Sequence, residues 1–197
     1  MSFDKKSYFD EIFKPLLQTL ASKARFQQAT KPKAALFYPS NNTPTAIIVT
    51  DSGIVKSKHS AVLEKAISYA RHGGTVIFRD ELNQFFHSHW DLPWEFGDYQ
   101  RTTVYINPHA RLVHKVRFPA AYSQKAVFLR NVPADAALYL PIEDLVTESL
   151  VFPSRPVTNR MHMPVAFAAV GEGSLGYVGD TNTEEASYAV IVAMCRL

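Results

Sequence analysis

The 197 residues are 47% hydrophobic and 20% charged, with a formal charge of +3; this balance suits one globular domain over 1–197 with a core of its own and excludes a disordered chain. The basic excess is small and sits near the start, where residues 1–33 carry seven Lys or Arg against three Asp or Glu. No basic stripe is interleaved with aromatics, so nucleic acid is excluded as a partner. Cys195 is the only cysteine, which rules out an intrachain disulfide and any Cys-based metal cluster within one chain. No apolar leader and no bilayer-length run are present, so no membrane partner is expected, and the expected location is cytoplasmic, or nuclear by default.

In chain order, Tyr8, Ile12, Phe13, Leu16, Leu17 and Leu20 recur at helical spacing and predict an amphipathic first helix. A proline-marked link leads to Ala34–Tyr38, which reads as a strand. Thr45–Thr50 is apolar and β-branched, as a strand buried on both faces should be. A turn through Asp51, Ser52 and Gly53 follows, then a helix with Val62, Leu63, Ala66, Ile67 and Ala70 on one face. Gly73 and Gly74 stop it before a strand at Thr75–Phe78. Strand, helix and strand in that order mean a parallel pairing.

Arg79–Tyr99 reads as a surface excursion with one helical turn after Asp80. Thr102–Ile106 and Ala126–Leu129 read as strands, and Val151–Val157 as an edge strand that tolerates its prolines. Pro164–Val170 and Gly176–Val178 form a hairpin across Gly171–Ser174. Thr183 is placed to cap a last helix, with Glu184 and Glu185 at its positive end and Tyr188, Ile191, Val192 and Cys195 inside.

The unit from Thr45 to Phe78, followed late in the chain by a hairpin and a closing helix, resembles the class I glutamine amidotransferase-like superfamily in layout. The resemblance implies a flavodoxin-like, three-layer α/β/α domain with a mainly parallel sheet, a late antiparallel hairpin and an aromatic insertion after the third strand. It also implies a nucleophilic cysteine on the bend after a central strand and a histidine just before the last helix. Here the bend is Phe78-Arg79-Asp80-Glu81, without cysteine. Gly179-Asp180-Thr181-Asn182 stands where the histidine would, and a carboxylate replaces an imidazole as base only if its pKa rises by several units. Cys195, near the end of a buried helix, behaves as a small hydrophobe.

The candidate catalytic residues are the strand-end acids Asp51, Asp80 and Asp180, because open parallel sheets bind ligands at the carboxyl ends of their strands. Turn and capping duties explain the same positions. Candidate ligand-binding residues are Ser52, Arg79, Glu81, Trp90, Trp94 and Arg101, the last three as an aromatic lid with a cation beneath it. The alternative for that segment is core packing. His87 and His89 lack a third ligand by spacing, so no metal site and no cofactor are assigned. Gly171, Gly173 and Gly176 match a dinucleotide fingerprint in letters, but a strand follows them where the mechanism needs a helix N-terminus. Ser52 lacks the nucleophile-elbow pattern, and no triad with His59 is assigned.

Three readings of function follow. The first is a non-catalytic amidotransferase-like domain, a pseudoenzyme, that binds an unidentified protein or a small polar ligand. The second is a hydrolase or isomerase that uses Asp51, Asp80 or Asp180, with or without a metal. The third is a self-associating protein, a homo-oligomer joined through the aromatic segment or the N-terminal helix.

Overall fold

A computed structural model describes residues 1–4, 9–79, 85–112, 117–149 and 151–197, with the backbone only at residue 40. The described residues form seven strands in one sheet: β1 Ala46–Val49, β2 Thr75–Phe78, β3 Glu95–Ile106, β4 Ala121–Arg130, β5 Ala137–Leu140, β6 Val165–Val170 and β7 Gly173–Val178. Their order is β1-β2-β7-β6-β5-β3-β4. β1, β2 and β7 pair in parallel, and the other neighbours pair antiparallel. Five strands (β1, β2, β7, β5, β4) therefore point one way, with β6 and β3 reversed between them. The sheet is mainly parallel in direction, while most of its ladders are antiparallel.

Period-two alternation sorts the strand side chains into two cores. Val76, Phe78, Leu175 and Tyr177 face one cluster together with Val62, Leu63, Ala66 and Ala70 of helix α3 (Ser60–Arg71). Ile77 and Val178 face the other, under Leu16 and Leu20 of α1 (Phe9–Lys23) and the largely buried α5 (Glu185–Met194). A sheet with helices on both faces makes the three-layer α/β/α arrangement. Gly73 ends α3 with φ +99°, a conformation that costs glycine little. The late hairpin is present, with Gly171 and Glu172 between β6 and β7 and Val170 opposite Gly173; the glycines at 171, 173 and 176 therefore belong to a turn and a buried strand.

Several expectations are corrected. Residues 34–38 are not a strand but lie within α2 (Pro32–Asn41): Pro32 pre-sets the first turn, the Ala-Ala-Leu run favours helix, and Phe37 is left exposed. Val151–Val157 is not an edge strand. The described residues of 141–164 form an arm in which one isolated bridge joins Val146 to Pro156 and another ties Met163 to Leu129 of β4; Pro153 and Pro156 cannot donate to a ladder. The short strand β5, four residues long, carries no sequence period of its own. The aromatic segment is not a surface excursion either: Phe85–Trp90 form a short helix, α4, and Phe85, Phe86, Trp90 and Trp94 are all buried. Phe78 packs against Phe85, Phe86 and Trp90 with centroids 5.0–6.3 Å apart, mostly edge to face. Each such ring removes roughly 150–250 Å² from water, and without that burial a helix of six residues would not hold its shape. Tyr8, Asp80 and Glu81 lie outside the described residues.

Candidate functional site

The carboxyl ends of β1, β2 and β7 lie side by side, so the residues following them form one edge. Asp51 follows β1, Arg79 follows β2 and Asp180 follows β7. At about 4.8 Å between neighbouring strands, the backbones at Asp51 and Asp180 stand roughly 10 Å apart with Arg79 between them.

Asp51 closes its own turn. Its Oδ1 accepts from the backbone N–H of Gly53 at 2.9 Å, Phe3 at 3.1 Å and Asp4 at 3.2 Å, and its Oδ2 accepts from Ser2 Oγ at 2.5 Å. The carboxylate thus clasps residues 2–4, which lie beside the edge strand; Thr50 N–H donates to the Met1 carbonyl in the same segment. Ser52 begins the following 3₁₀ turn, half-buried. His59 is buried with its Nδ1 2.7 Å from the Gly53 carbonyl and its ring tilted against Phe3, so its assigned contact is with backbone and not with Ser52.

Asp180 is 2% exposed. Its Oδ1 accepts from Asn182 N–H at 2.8 Å and its Oδ2 from Glu184 N–H at 2.7 Å. These bonds close the turn that leads into α5; the N-cap position falls at Glu184 and not at Thr183, and it makes no side-chain capping bond. Thr183 adopts φ +57° and turns its hydroxyl to the Asn182 carbonyl, away from the first amides of α5. Buried Arg79 donates from Nη2 to the Asp180 carbonyl at 3.1 Å, with Oδ2 at 3.9 Å. Its guanidinium lies 4.9 Å from the centre of the Phe13 ring, a cation–π contact that ties α1 to this edge.

Backbone from the far side of the sheet reaches the same edge. Val127 N–H of β4 donates to the Gly179 carbonyl at 2.9 Å, and Thr181 N–H donates to the Lys125 carbonyl at 2.9 Å. Asp180 bridges Ala126, and Tyr177 Oη donates to the Val127 carbonyl at 3.0 Å. A Cβ on Gly179 would stand 2.0 Å from the Val127 carbonyl oxygen, so only glycine permits the approach. β4 therefore curls over the end of β7 where an open α/β sheet would leave a crevice.

The aromatic lid does not form. Trp90 and Trp94 are each 1% exposed, within the core cluster that contains Phe78 and Tyr177. Arg101 is ion-paired with Glu184 and within 3.4 Å of Ser123 Oγ; it ties β3 to the start of α5. Among the described residues no group of three or more His, Cys, Asp or Glu is arranged to hold a metal ion, and no helix is long and apolar enough to cross a membrane. Burial pushes the Cys195 thiol up to about 12, far from the range of a nucleophile at neutral pH.

Two features were missed in the sequence. One is a pocket of about 290 Å³ by the start of β1, walled by the end of α1, the link at 24–29 and α2. The other is the run of exposed apolar side chains on the 141–164 arm, with Val151 80% and Phe152 and Met161 each 71% exposed. Neither the pocket nor a more open groove between α1 and α5 is lined by Asp51, Arg79 or Asp180. No periodicity marks either feature; the only signal was apolar residues standing in proline-rich, non-repeating segments.

No protein-family model matches the chain, and no curated protein matches it. Among solved structures it is similar to a ThuA-like protein from Parabacteroides merdae, with a TM-score of 0.54 and 10% identity over 98% of this chain and 86% of that one. It is also similar to a β-galactosidase from Rahnella sp. R3, with a TM-score of 0.50 and 16% identity over 77% of this chain. The chain spans 22% of the length of that enzyme, and the same share of a β-galactosidase from Bacillus circulans sp. alkalophilus. The likeness to the ThuA-like protein supports a fold of the class I glutamine amidotransferase-like kind, at a distance.

Proposed function

We propose that the chain is a non-catalytic domain of amidotransferase-like fold, a pseudoenzyme whose work is binding. One observation carries this reading: both carboxylate oxygens of Asp180 are engaged by the backbone amides of Asn182 and Glu184, where the fold would present an imidazole. β4 supports it by occupying the space above Gly179–Thr181. A hydrolase or isomerase working through Asp51 and Asp180 would need carboxylates facing substrate, whereas Asp51 faces residues 2–4. The test is ammonia release from glutamine by purified protein, compared with Asp180→Asn. The expected result is no release above the blank from either form. Release that disappears in Asp180→Asn while that variant stays folded would overturn the reading.

A specific observation favours a protein as what is bound. Ile142, Val146, Val151, Phe152 and Met161 form an exposed apolar run on one arm, of the kind that marks interaction surfaces. That arm takes the place of the aromatic segment as the surface for self-association or a partner.

A further inference from the structure

We infer that Tyr122, Gln124 and Ser187 line an internal site for ordered water between β4 and the start of α5, which goes beyond the binding role proposed above and does not depend on it. The site follows from strand alternation and from the entry of α5. Tyr122 and Gln124 stand two residues apart on one face of β4, the face that carries Ala126 and Phe128 into the core shared with α5. Ser187, in the first turn of α5, lies on the helix face that presents Val190 and Ile191 to the same core. Gln124 and Ser187 are 0% exposed and Tyr122 is 8% exposed.

Three polar side chains thus enter a largely apolar layer, and they do not satisfy one another. Both amide atoms of Gln124, the Tyr122 hydroxyl and the Ser187 hydroxyl are buried without a hydrogen-bond partner. Thr102, opposite Gln124 on β3 and equally buried, differs in that its hydroxyl donates to the Val146 carbonyl. Burial raises the Tyr122 pKa while Ser187 and Gln124 oppose the rise, so both stand close to its hydroxyl. Polar groups that are neighbours without bonding directly are what a bridging water joins. Left dry, each orphaned group would lower the folding equilibrium constant by about tenfold, a heavy load for a fold of ordinary stability. The chemistry selects water over an ion. None of the three side chains carries a charge, and the nearest charges, Arg79 and Asp180, already face each other at 3.9 Å. An amide and two hydroxyls both donate and accept, as water does.

The test joins a high-resolution crystal structure of the whole chain to urea unfolding of Gln124→Met, a change close to isosteric that removes both amide atoms. Ordered density of water size is expected within hydrogen-bond distance of the Gln124 amide and of Tyr122 Oη or Ser187 Oγ. In a hydrated site the amide is bonded to water, so Gln124→Met should lower the folding equilibrium constant by about tenfold. In a dry site the same change relieves two stranded atoms and should leave that constant unchanged or raise it. Ser187→Ala should also lower it, and the loss in the double variant should fall short of the product of the two, because both act on the same water. If Gln124→Met fails to fold, the density and Ser187→Ala decide. No density at the three side chains, density too large for water, direct hydrogen bonds among them in its place, or a Gln124→Met chain as stable as the wild type would overturn the assignment. Glutamine turnover plays no part in these outcomes, so the assignment and the non-catalytic reading fail separately.

Discussion

Removing the carboxylate of Asp180 would take the acceptor from the amides of Asn182 and Glu184 and one negative charge from beside the buried Arg79 guanidinium, which keeps its bond to the Asp180 carbonyl and its contact with Phe13. Each backbone donor that loses its partner costs about 1 kcal/mol, and the lost attraction to Arg79 adds to that. Asp180→Ala should therefore lower the unfolding free energy by about 2 kcal/mol in urea titration. Asp180→Asn, which keeps one accepting oxygen, should cost less than half as much. A change below 0.5 kcal/mol, the range usual for surface substitutions, would show that the residue is held in reserve for something other than structure. The position of this acid was legible in the sequence, since it follows an apolar run and precedes a helix. Its role was only half legible. The amides it bonds lie two and four residues away, within local reach, whereas Arg79 lies 101 positions back and is brought beside it by the parallel pairing of β2 and β7.

At the scale of elements, the 141–164 arm is held by its base and free at its tip. Thr102 Oγ1 donates to the Val146 carbonyl at 3.0 Å, and the Glu148 carboxylate accepts from Thr103 Oγ1 at 2.8 Å and Ser123 Oγ at 2.6 Å. Val151 and Phe152 lie beyond these bonds, with Ser149 Oγ accepting from their backbone N–H groups. Side chains so exposed contribute little to folding, so Val151→Ser with Phe152→Ser should leave stability within about 0.5 kcal/mol. The same double variant should lower the average mass seen by light scattering at high concentration if the arm joins copies of the chain. A marked loss of stability would show instead that the tip packs inward. Here the sequence misled for a stated reason: alternation without a count of available N–H donors cannot separate a strand from a proline-broken arm. The same cause lies behind Ala34–Tyr38, where an apolar run too short for periodicity was read as a strand although Pro32 starts a helix. α3 is legible because it carries both a helical period and a glycine stop, and the β6–β7 hairpin because glycine marks its turn.

Across the molecule as a whole, the thiol and three of the tyrosine hydroxyls are withdrawn from solvent. Burial raises Cys195 from 9.0 to about 12 and raises Tyr69, Tyr122 and Tyr139 above their ordinary 10.0. Tyr69 Oη donates to the Pro44 carbonyl and Tyr139 Oη to the Pro119 carbonyl, each at 2.6 Å, so ionisation would also end those bonds. For groups whose folded pKa lies above the unfolded one, the native state holds the proton longer. Their contribution to stability is complete below the unfolded value and is lost as pH rises toward the folded value. Cys195 begins this loss near pH 9 and the tyrosines join it near pH 10. Unfolding free energy, measured in urea, should decline above pH 9 by about 1.4 kcal/mol per pH unit for each group that the unfolded chain has ionised and the native chain has not. Cys195→Ala should flatten the portion between pH 9 and 10 and leave the steeper fall above it. A disulfide reagent should label the thiol of the wild-type chain only as fast as the protein unfolds, because the thiol is 2% exposed within the α5 core. Rapid labelling at pH 8 without unfolding, or an unchanged slope in Cys195→Ala, would mean that the layer between α1 and α5 opens in the native state. That opening would also bear on the pocket by the start of β1, which Cys195 helps to line.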